Sequence, residues 1–286
     1  MKNWQVLLCF ISLPLLTWGQ SFPYPVPPDS IRDRQERINY MAEHFWNEQA
    51  VADTTCFQSP KLLLDYLYLL KQADEKEKCA QDFISLSCRQ EKTFGLILYW
   101  LDNILYESAS PYYDESLYSK FLDAVIESDA DSVMKLIPMQ RKEIISKNPI
   151  GGLANNFSFI DKEGETNNLY HVEATFLLLI FNNPDCSLCN RAEEDISKNK
   201  ILQRLLSNGT LKILAITPDA EYEEWMAHTY PIDWVVGYDM DHYLYNERLY
   251  DIQRLPCIYL LDKDKRILLK EADYGRLIRF FNNFQP

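Results

Sequence analysis

The chain has 286 residues, 47% of them hydrophobic and 25% charged, with a formal net charge of −13. That composition belongs to globular proteins, excludes wholesale disorder, and leaves room for two hydrophobic cores. The acidic excess is shared evenly between residues 20–150 and 151–286. Neither half therefore offers the positive face that nucleic acid or an anionic membrane surface requires.

The N-terminus carries one basic residue, Lys2, then an apolar run over residues 6–16, with Thr17 and Gly19 at the −3 and −1 positions of a cleavage before Gln20. This pattern predicts a signal peptide over residues 1–19 and a soluble, exported chain. The competing reading is a buried N-terminal strand or helix. The run is too short for a membrane span, and no later segment reaches the needed length without charge. Cys9 lies inside the apolar stretch, so a lipid anchor is not expected. Six cysteines remain after cleavage: Cys56, Cys79, Cys88, Cys186, Cys189 and Cys257. In an oxidising compartment such thiols pair or do redox work.

Residues 20–148 read as a helical domain. Asp29-Ser30 is the expected cap of a helix running to about Asn47, with Ile31, Ile38, Met41 and Phe45 at helical spacing. Ser59-Pro60 opens another, striped by Leu63, Tyr66, Leu67 and Leu70. Further helices are predicted over about 75–89, 91–107, 114–127 and 131–147. The set Phe94, Ile97, Leu98, Leu101, Leu105 marks the apolar face of one of them. Cys79 and Cys88 on one helix would be about 13 Å apart at about 1.5 Å per residue. That is too far for a disulfide unless the chain bends between them into two adjacent helices, and buried free thiols are the favoured reading. Tyr99, Trp100, Tyr106, Tyr112 and Tyr113 read as core and domain contact rather than a ligand box.

The pattern changes at Asn148-Pro149-Ile150-Gly151-Gly152, a turn or linker signal. From 149 to 286 strands and helices alternate. Strands are expected over 157–160, 175–182 and 211–217, with a short extended piece over 234–237. A hairpin of 257–261 and 266–270 is expected around Asp262-Lys263-Asp264-Lys265. Helices are expected over 187–206, 220–229, 241–250 and 274–284. The apolar run of 175–182 suits a strand covered on both faces. The alternation means an α/β sheet.

The sharpest feature is Asn182-Asn183-Pro184-Asp185-Cys186-Ser187-Leu188-Cys189. A buried strand runs into a turn, and two cysteines open the next helix. Helix-start amides and the helix dipole stabilise a thiolate at the first of them. The two-residue spacing puts the second sulfur one turn away, within reach of a disulfide. In this geometry Cys186 attacks and Cys189 resolves the mixed disulfide. Two plainer readings stand beside it, half of a zinc site and a redox-silent structural disulfide. Zinc takes four ligands, usually including a second close pair. Cys79 and Cys88 sit in the other half, and His228 and His242 show no ligand spacing.

Residues 150–189 resemble the thioredoxin-like redoxins, which include periplasmic thiol reductases and thiol peroxidases. Arg254-Leu255-Pro256-Cys257-Ile258-Tyr259-Leu260-Leu261-Asp262 is similar to their cis-proline strand and the hairpin after it. The resemblance implies a cis bond at Pro256 and a substrate groove at Leu255 and Pro256, with Leu255 offering backbone hydrogen bonds. Over nearly all of the mature chain, the helical half and the stretches Asn182-Asn183-Pro184-Asp185-Cys186 and Leu260-Leu261-Asp262-Lys263-Asp264-Lys265 resemble the DUF5106-type thioredoxin-like proteins of Gram-negative bacteria. That family implies an α/β thioredoxin fold, a mixed sheet flanked by helices, preceded by an all-α domain. It brings no defined biochemical role.

The sequence departs from ordinary thioredoxin at four places. Asp185 replaces the Trp before the first Cys, Ser187-Leu188 the Gly-Pro between the cysteines, and Ile180 the buried acid six residues before the first Cys. The fourth is Cys257, after the proline. Asp185, with Glu193, Glu194 and Asp195 nearby and Arg191 opposing, disfavours the Cys186 thiolate and points towards a reductase. Asn183 stands where a peroxiredoxin needs Thr. Cys257 reads either as a third redox thiol or as a small side chain filling core. Asp29-Ser30-Ile31, Asp53-Thr54-Thr55 and Asp131-Ser132-Val133 fit an O-glycosylation string of some Gram-negative secretory systems, and two of them fit helix caps as well.

These features predict a periplasmic thiol–disulfide oxidoreductase acting on protein disulfides, more reducing than oxidising. It calls for no cofactor and no metal, but for an electron donor, and its helical half has scope for a protein partner. The rival is a binding or scaffold protein in which the thioredoxin fold is a platform and the disulfide structural.

Overall fold

Residues 34–146 fold as a series of helices joined by short turns. In chain order these are α1 (Arg34–Glu43), α2 (Glu48–Ala52), α3 (Lys61–Gln72), α4 (Lys76–Ser87), α5 (Glu91–Leu101), α6 (Glu115–Glu127) and α7 (Ser132–Ser146). The structure, a computed structural model, describes residues 22–107, 110–252 and 254–284. The signal-peptide expectation for residues 1–19 lies outside them. Among the described residues no helix is long and apolar enough to cross a membrane.

The stripe of α3 buries Leu63, Tyr66, Leu67 and Leu70 as its spacing requires. Trp46 stacks on Phe57 and Phe83, with centroids 5.2 and 5.1 Å apart, at the centre of an aromatic core. Asp33, rather than Asp29-Ser30, caps α1 by accepting the Glu36 N–H. Asp131 likewise caps α7. The helix expected over 91–107 changes character after Leu101. Its last stretch, Asp102–Tyr106, is a π-helical turn that leaves Tyr106 buried. Cys79 is buried and Cys88 is half-buried, and both thiols are free.

The second half is a seven-stranded mixed sheet in the order β2-β1-β5-β4-β3-β6-β7. Its strands are β1 (Ser158–Ile160), β2 (Thr166–Asn168), β3 (Phe176–Phe181), β4 (Leu211–Thr217), β5 (Trp234–Tyr238), β6 (Cys257–Asp262) and β7 (Ile267–Leu269). The three central strands β3, β4 and β5 run parallel, while β6 pairs antiparallel with β3 and with β7. Every residue of β3 is buried. Leu177, Leu179 and Phe181 join one core and Phe176, Leu178 and Ile180 the other. That two-sided burial is why the strand reads as an unbroken apolar run.

The helices of this half are α8 (Ser187–Lys198), α9 (Lys200–Ser207), α10 (Tyr222–Ala227), α11 (Tyr243–Asn246) and α12 (Tyr274–Asn283). The helix expected over 187–206 is therefore two. Asn199 ends α8 and caps α9, accepting from Ile201 and Leu202 N–H. The helix expected over 241–250 shrinks to the single turn of α11. Strand β2 escaped the sequence reading because its residues, Thr166-Asn167-Asn168, carry no apolar alternation.

The 148–152 turn docks as well as connects. Gly151 N–H donates to the Ile267 carbonyl and Ile267 N–H to the Gly152 carbonyl, at 2.8 and 2.9 Å. Lys270, 1% exposed, forms an ion pair with Glu115 at 2.8 Å and donates to the Ile145 and Lys147 carbonyls. Lys147 Nζ returns the contact to the Glu247 and Arg248 carbonyls, each at 2.9 Å. The two halves are thus joined through buried polar groups.

Candidate active site

The end of β3 carries the sharpest motif to the surface. Asn182 continues the strand's pairing through its N–H to the Ile216 carbonyl at 3.0 Å. The turn that follows is held locally. Asn183 Oδ1 accepts the Asp185 N–H at 2.9 Å, and Asn183 Nδ2 donates to Asp219 at 3.1 Å. Asn190 Nδ2 donates to the Pro184 carbonyl at 3.0 Å. These bonds aim the chain into α8 with Cys186 at its N-cap.

Cys186 and Cys189 form a disulfide, with Cα atoms 5.1 Å apart. Cys186 is half-buried and Cys189 is 2% exposed. Cys186 is thus the more accessible sulfur of the pair. The Cys189 N–H points at Cys186 Sγ from 3.1 Å. An amide at a helix start in that position stabilises negative charge on the sulfur.

Leu255 and Pro256 stand beside the disulfide. The Leu255–Pro256 bond is cis, and the Leu255 carbonyl oxygen lies 3.7 Å from Cys186 Sγ. Cys257 opens β6 directly opposite Phe181. It is buried, and its Sγ lies 3.2 Å from the Asp251 carbonyl oxygen. Burial, reinforced by Glu271 and Asp251, pushes its thiol well up, so it is a poor nucleophile. Of the acids expected to weigh on Cys186, Glu194 is paired with Lys198 and Glu193 turns to His228 at 3.3 Å.

A cleft of about 440 Å³ opens between the halves at this point. On the α/β side it is lined by Leu188 and Arg191 of α8 and by Leu255, Pro256 and Cys257. Tyr106, Glu107 and Arg141 of the helical half form the opposite wall. Tyr106 OH donates to Asp251, and Arg254 forms an ion pair with Glu107. Arg141 lies over the Tyr106 ring at 4.5 Å.

Glu271 also lines the cleft, and sequence reading missed it. Burial, and then the charge of Asp251, push its carboxyl up to about 8. Tyr259 OH donates to it at 3.4 Å. Nothing in the string Lys270-Glu271-Ala272 marks it as buried. It faces the cleft that Tyr106, Glu107 and Arg141 of the helical half wall from the other side. Among the described residues no group of three or more His, Cys, Asp or Glu is arranged to hold a metal ion.

The family model for a domain of unknown function, DUF5106, matches residues 9–148. A thioredoxin-like protein from Bacteroides caccae ATCC 43185 is similar over 93% of this chain and 99% of its own, at 29% identity and a TM-score of 0.80. A conserved protein of unknown function from Bacteroides fragilis matches 46% of this chain and 98% of its own, at 34% identity and a TM-score of 0.45. The thioredoxin domain of a thiol-disulfide oxidoreductase from Bacteroides vulgatus matches 47% of this chain and 99% of its own, at 20% identity and a TM-score of 0.39. No curated protein matches the chain. A helical region under the DUF5106 match, followed by a mixed sheet that carries the Cys186–Cys189 pair, makes this chain a DUF5106 thioredoxin-like protein.

Proposed function

We propose that this chain is a periplasmic thiol–disulfide oxidoreductase that reduces protein disulfides. The observation that carries the reading is the half-buried Cys186 at the start of α8, disulfide-bonded to a buried Cys189 and beside Leu255, which lines the cleft. Cys186 attacks a substrate disulfide and Cys189 resolves the mixed disulfide. The Leu255 and Pro256 backbone forms the groove for the substrate strand. Cys257 serves the core rather than the redox cycle, in keeping with its burial and raised thiol. Two domains meet at residues 148 and 149, after a signal peptide over 1–19. The helical domain walls the cleft and leaves its outer surface for a protein partner. No cofactor takes part. An electron donor, itself a dithiol, reloads the pair.

Insulin reduction with dithiothreitol tests this. Wild type is expected to accelerate it, and Cys186→Ser to fall to the uncatalysed rate. Equal rates for the two would sink the reading and favour a scaffold with a structural disulfide.

A further inference from the structure

A buried thiol resists ionising, because a low-dielectric surrounding disfavours the charge. Cys189 is 2% exposed. To attack a mixed disulfide it must hand its proton to a base within the protein. The sheet beneath supplies none, since Ile180 and Ala215 present apolar side chains to the core that α8 covers.

Helix α8 supplies one itself. Cys189, Glu193 and Ile196 stand at i, i+4 and i+7, so they share one face, with successive Cβ atoms about 5–6 Å apart. Ile196 is fully buried, which identifies that face as the one turned to the sheet. The Glu193 side chain is 14% exposed, and its Oε2 lies 3.3 Å from His228 Nε2. Burial pushes the Glu193 carboxyl up, and His228 draws it back.

The surroundings are polar and engaged. The Tyr230 ring stands edge-on to His228 at 4.5 Å, and its hydroxyl shares a 3.0 Å hydrogen bond with Thr217 Oγ1. Thr217 in turn donates to buried Asn182 at 3.5 Å. Lys162 Nζ donates to the His228 carbonyl at 3.4 Å. The other acids of α8 face elsewhere: Glu194 pairs with Lys198, and Asp195 opens on the cleft. Glu193 is therefore the carboxylate on the Cys189 side of the helix.

We propose that Glu193, held by His228, is the proton acceptor for the Cys189 thiol. This rests on the oxidoreductase reading above. In the cycle, the Cys186 thiolate attacks a substrate disulfide, a Cys186–substrate bond forms, and the first substrate thiolate leaves and takes a proton from water. The Cys189 thiol then passes its proton to the Glu193 carboxylate. Its thiolate attacks Cys186 Sγ, the Cys186–Cys189 bond forms, and the second substrate thiolate departs. Glu193 returns its proton through His228, whose side chain is 21% exposed. Two electrons pass from the protein dithiol to the substrate, and the protein is left oxidised.

The test is an NMR titration of isotope-labelled cysteine and glutamate side chains in the reduced full chain. It runs beside stopped-flow measurement of mixed-disulfide resolution. Cys189 and Glu193 are expected to titrate as a coupled pair, each in two steps. In Glu193→Gln, Cys189 is expected to titrate in one step. Resolution should slow about 100-fold in that variant while the first attack by Cys186 keeps its rate. His228→Gln should move the lower limb of the pH profile upward, because the imidazole holds the carboxyl down. A single-step Cys189 titration in wild type overturns the proposal, even if insulin is reduced normally. An unchanged midpoint in a folded Glu193→Gln does the same. A coupled titration in a wild type that fails to reduce insulin overturns the oxidoreductase reading and leaves the proton exchange standing. Should Glu193→Gln not fold, the wild-type titration alone decides.

Discussion

The helical half and the α/β half use their polar groups differently. In the helical half several of them cap helices. Asp33, Asn47, Asp114 and Asp131 each accept an N–H of the first turn they precede. In the α/β half they gather where strands end: Asn182 and Asn183 after β3, Thr217 at the end of β4, and the Leu255 carbonyl before β6. An open sheet with parallel central strands leaves its loops at those ends for binding, whereas a helix bundle spends its polar groups on its own termini. Among the described residues of the helical half, Tyr106, Glu107 and Arg141 line the cleft. On the proposed function, the α/β half supplies the nucleophile and the helical half supplies enclosure.

That division can be attacked first at the joint. Lys270 is buried against Glu115 and two carbonyls of the helical half. Lys270→Ala leaves all three without their cation and is expected to cost about 3–5 kcal/mol in urea unfolding. A loss near zero would mean that the halves do not depend on each other.

Glu271 tests the enclosure by pH. Its folded carboxyl is raised to about 8, so between the ordinary carboxylate range and pH 8 the folded state holds the extra proton. Stability contributed by this group is fully present below that window and is lost as pH rises through it. Glu271→Gln keeps the neutral shape. It is expected to unfold later than wild type at pH 8 and level with it at pH 4. Parallel unfolding curves across that range would show that the helical half does not seal the site.

The smallest expected effect is that of Tyr106→Phe, which deletes the hydrogen bond to Asp251 and the longer one accepted from Arg141 at 3.3 Å. We expect kcat/KM for insulin to fall by less than about tenfold, as a net contribution of about 0.5–1.5 kcal/mol implies. A hundredfold loss would make Tyr106 part of the chemistry and erase the distinction between the halves.

Much of this was legible beforehand, for identifiable reasons. The α3 stripe and the β3 run announce themselves because burial on one face or on two leaves a period in the chain. Cys186 and Cys189 were readable because a strand, a turn and a helix start can be placed from local pattern alone. The errors fell where local pattern is ambiguous or absent. Asp29-Ser30 and Asp33 are both plausible caps, and packing chose the second. Asn199 reads as an ordinary interior polar residue until it ends one helix and caps the next.

The residues of the α/β half to which the proposed function assigns chemistry, the cysteine pair and the Leu255-Pro256 step, stand in the chain in a form that local spacing and resemblance expose. Lys270, Glu271, Glu193 and His228 do not. A charged side chain in sequence carries no sign of being buried. Burial arises only when a distant segment covers it, and for Lys270 that segment is the helical half. Glu193 and His228 lie 35 residues apart, and only the closure of α10 towards α8 brings carboxylate and imidazole together. On the proposed function, the Cys186–Cys189 motif marks where the redox chemistry sits. Desolvation and long-range contact, properties of the folded chain, set what its neighbours do to a proton.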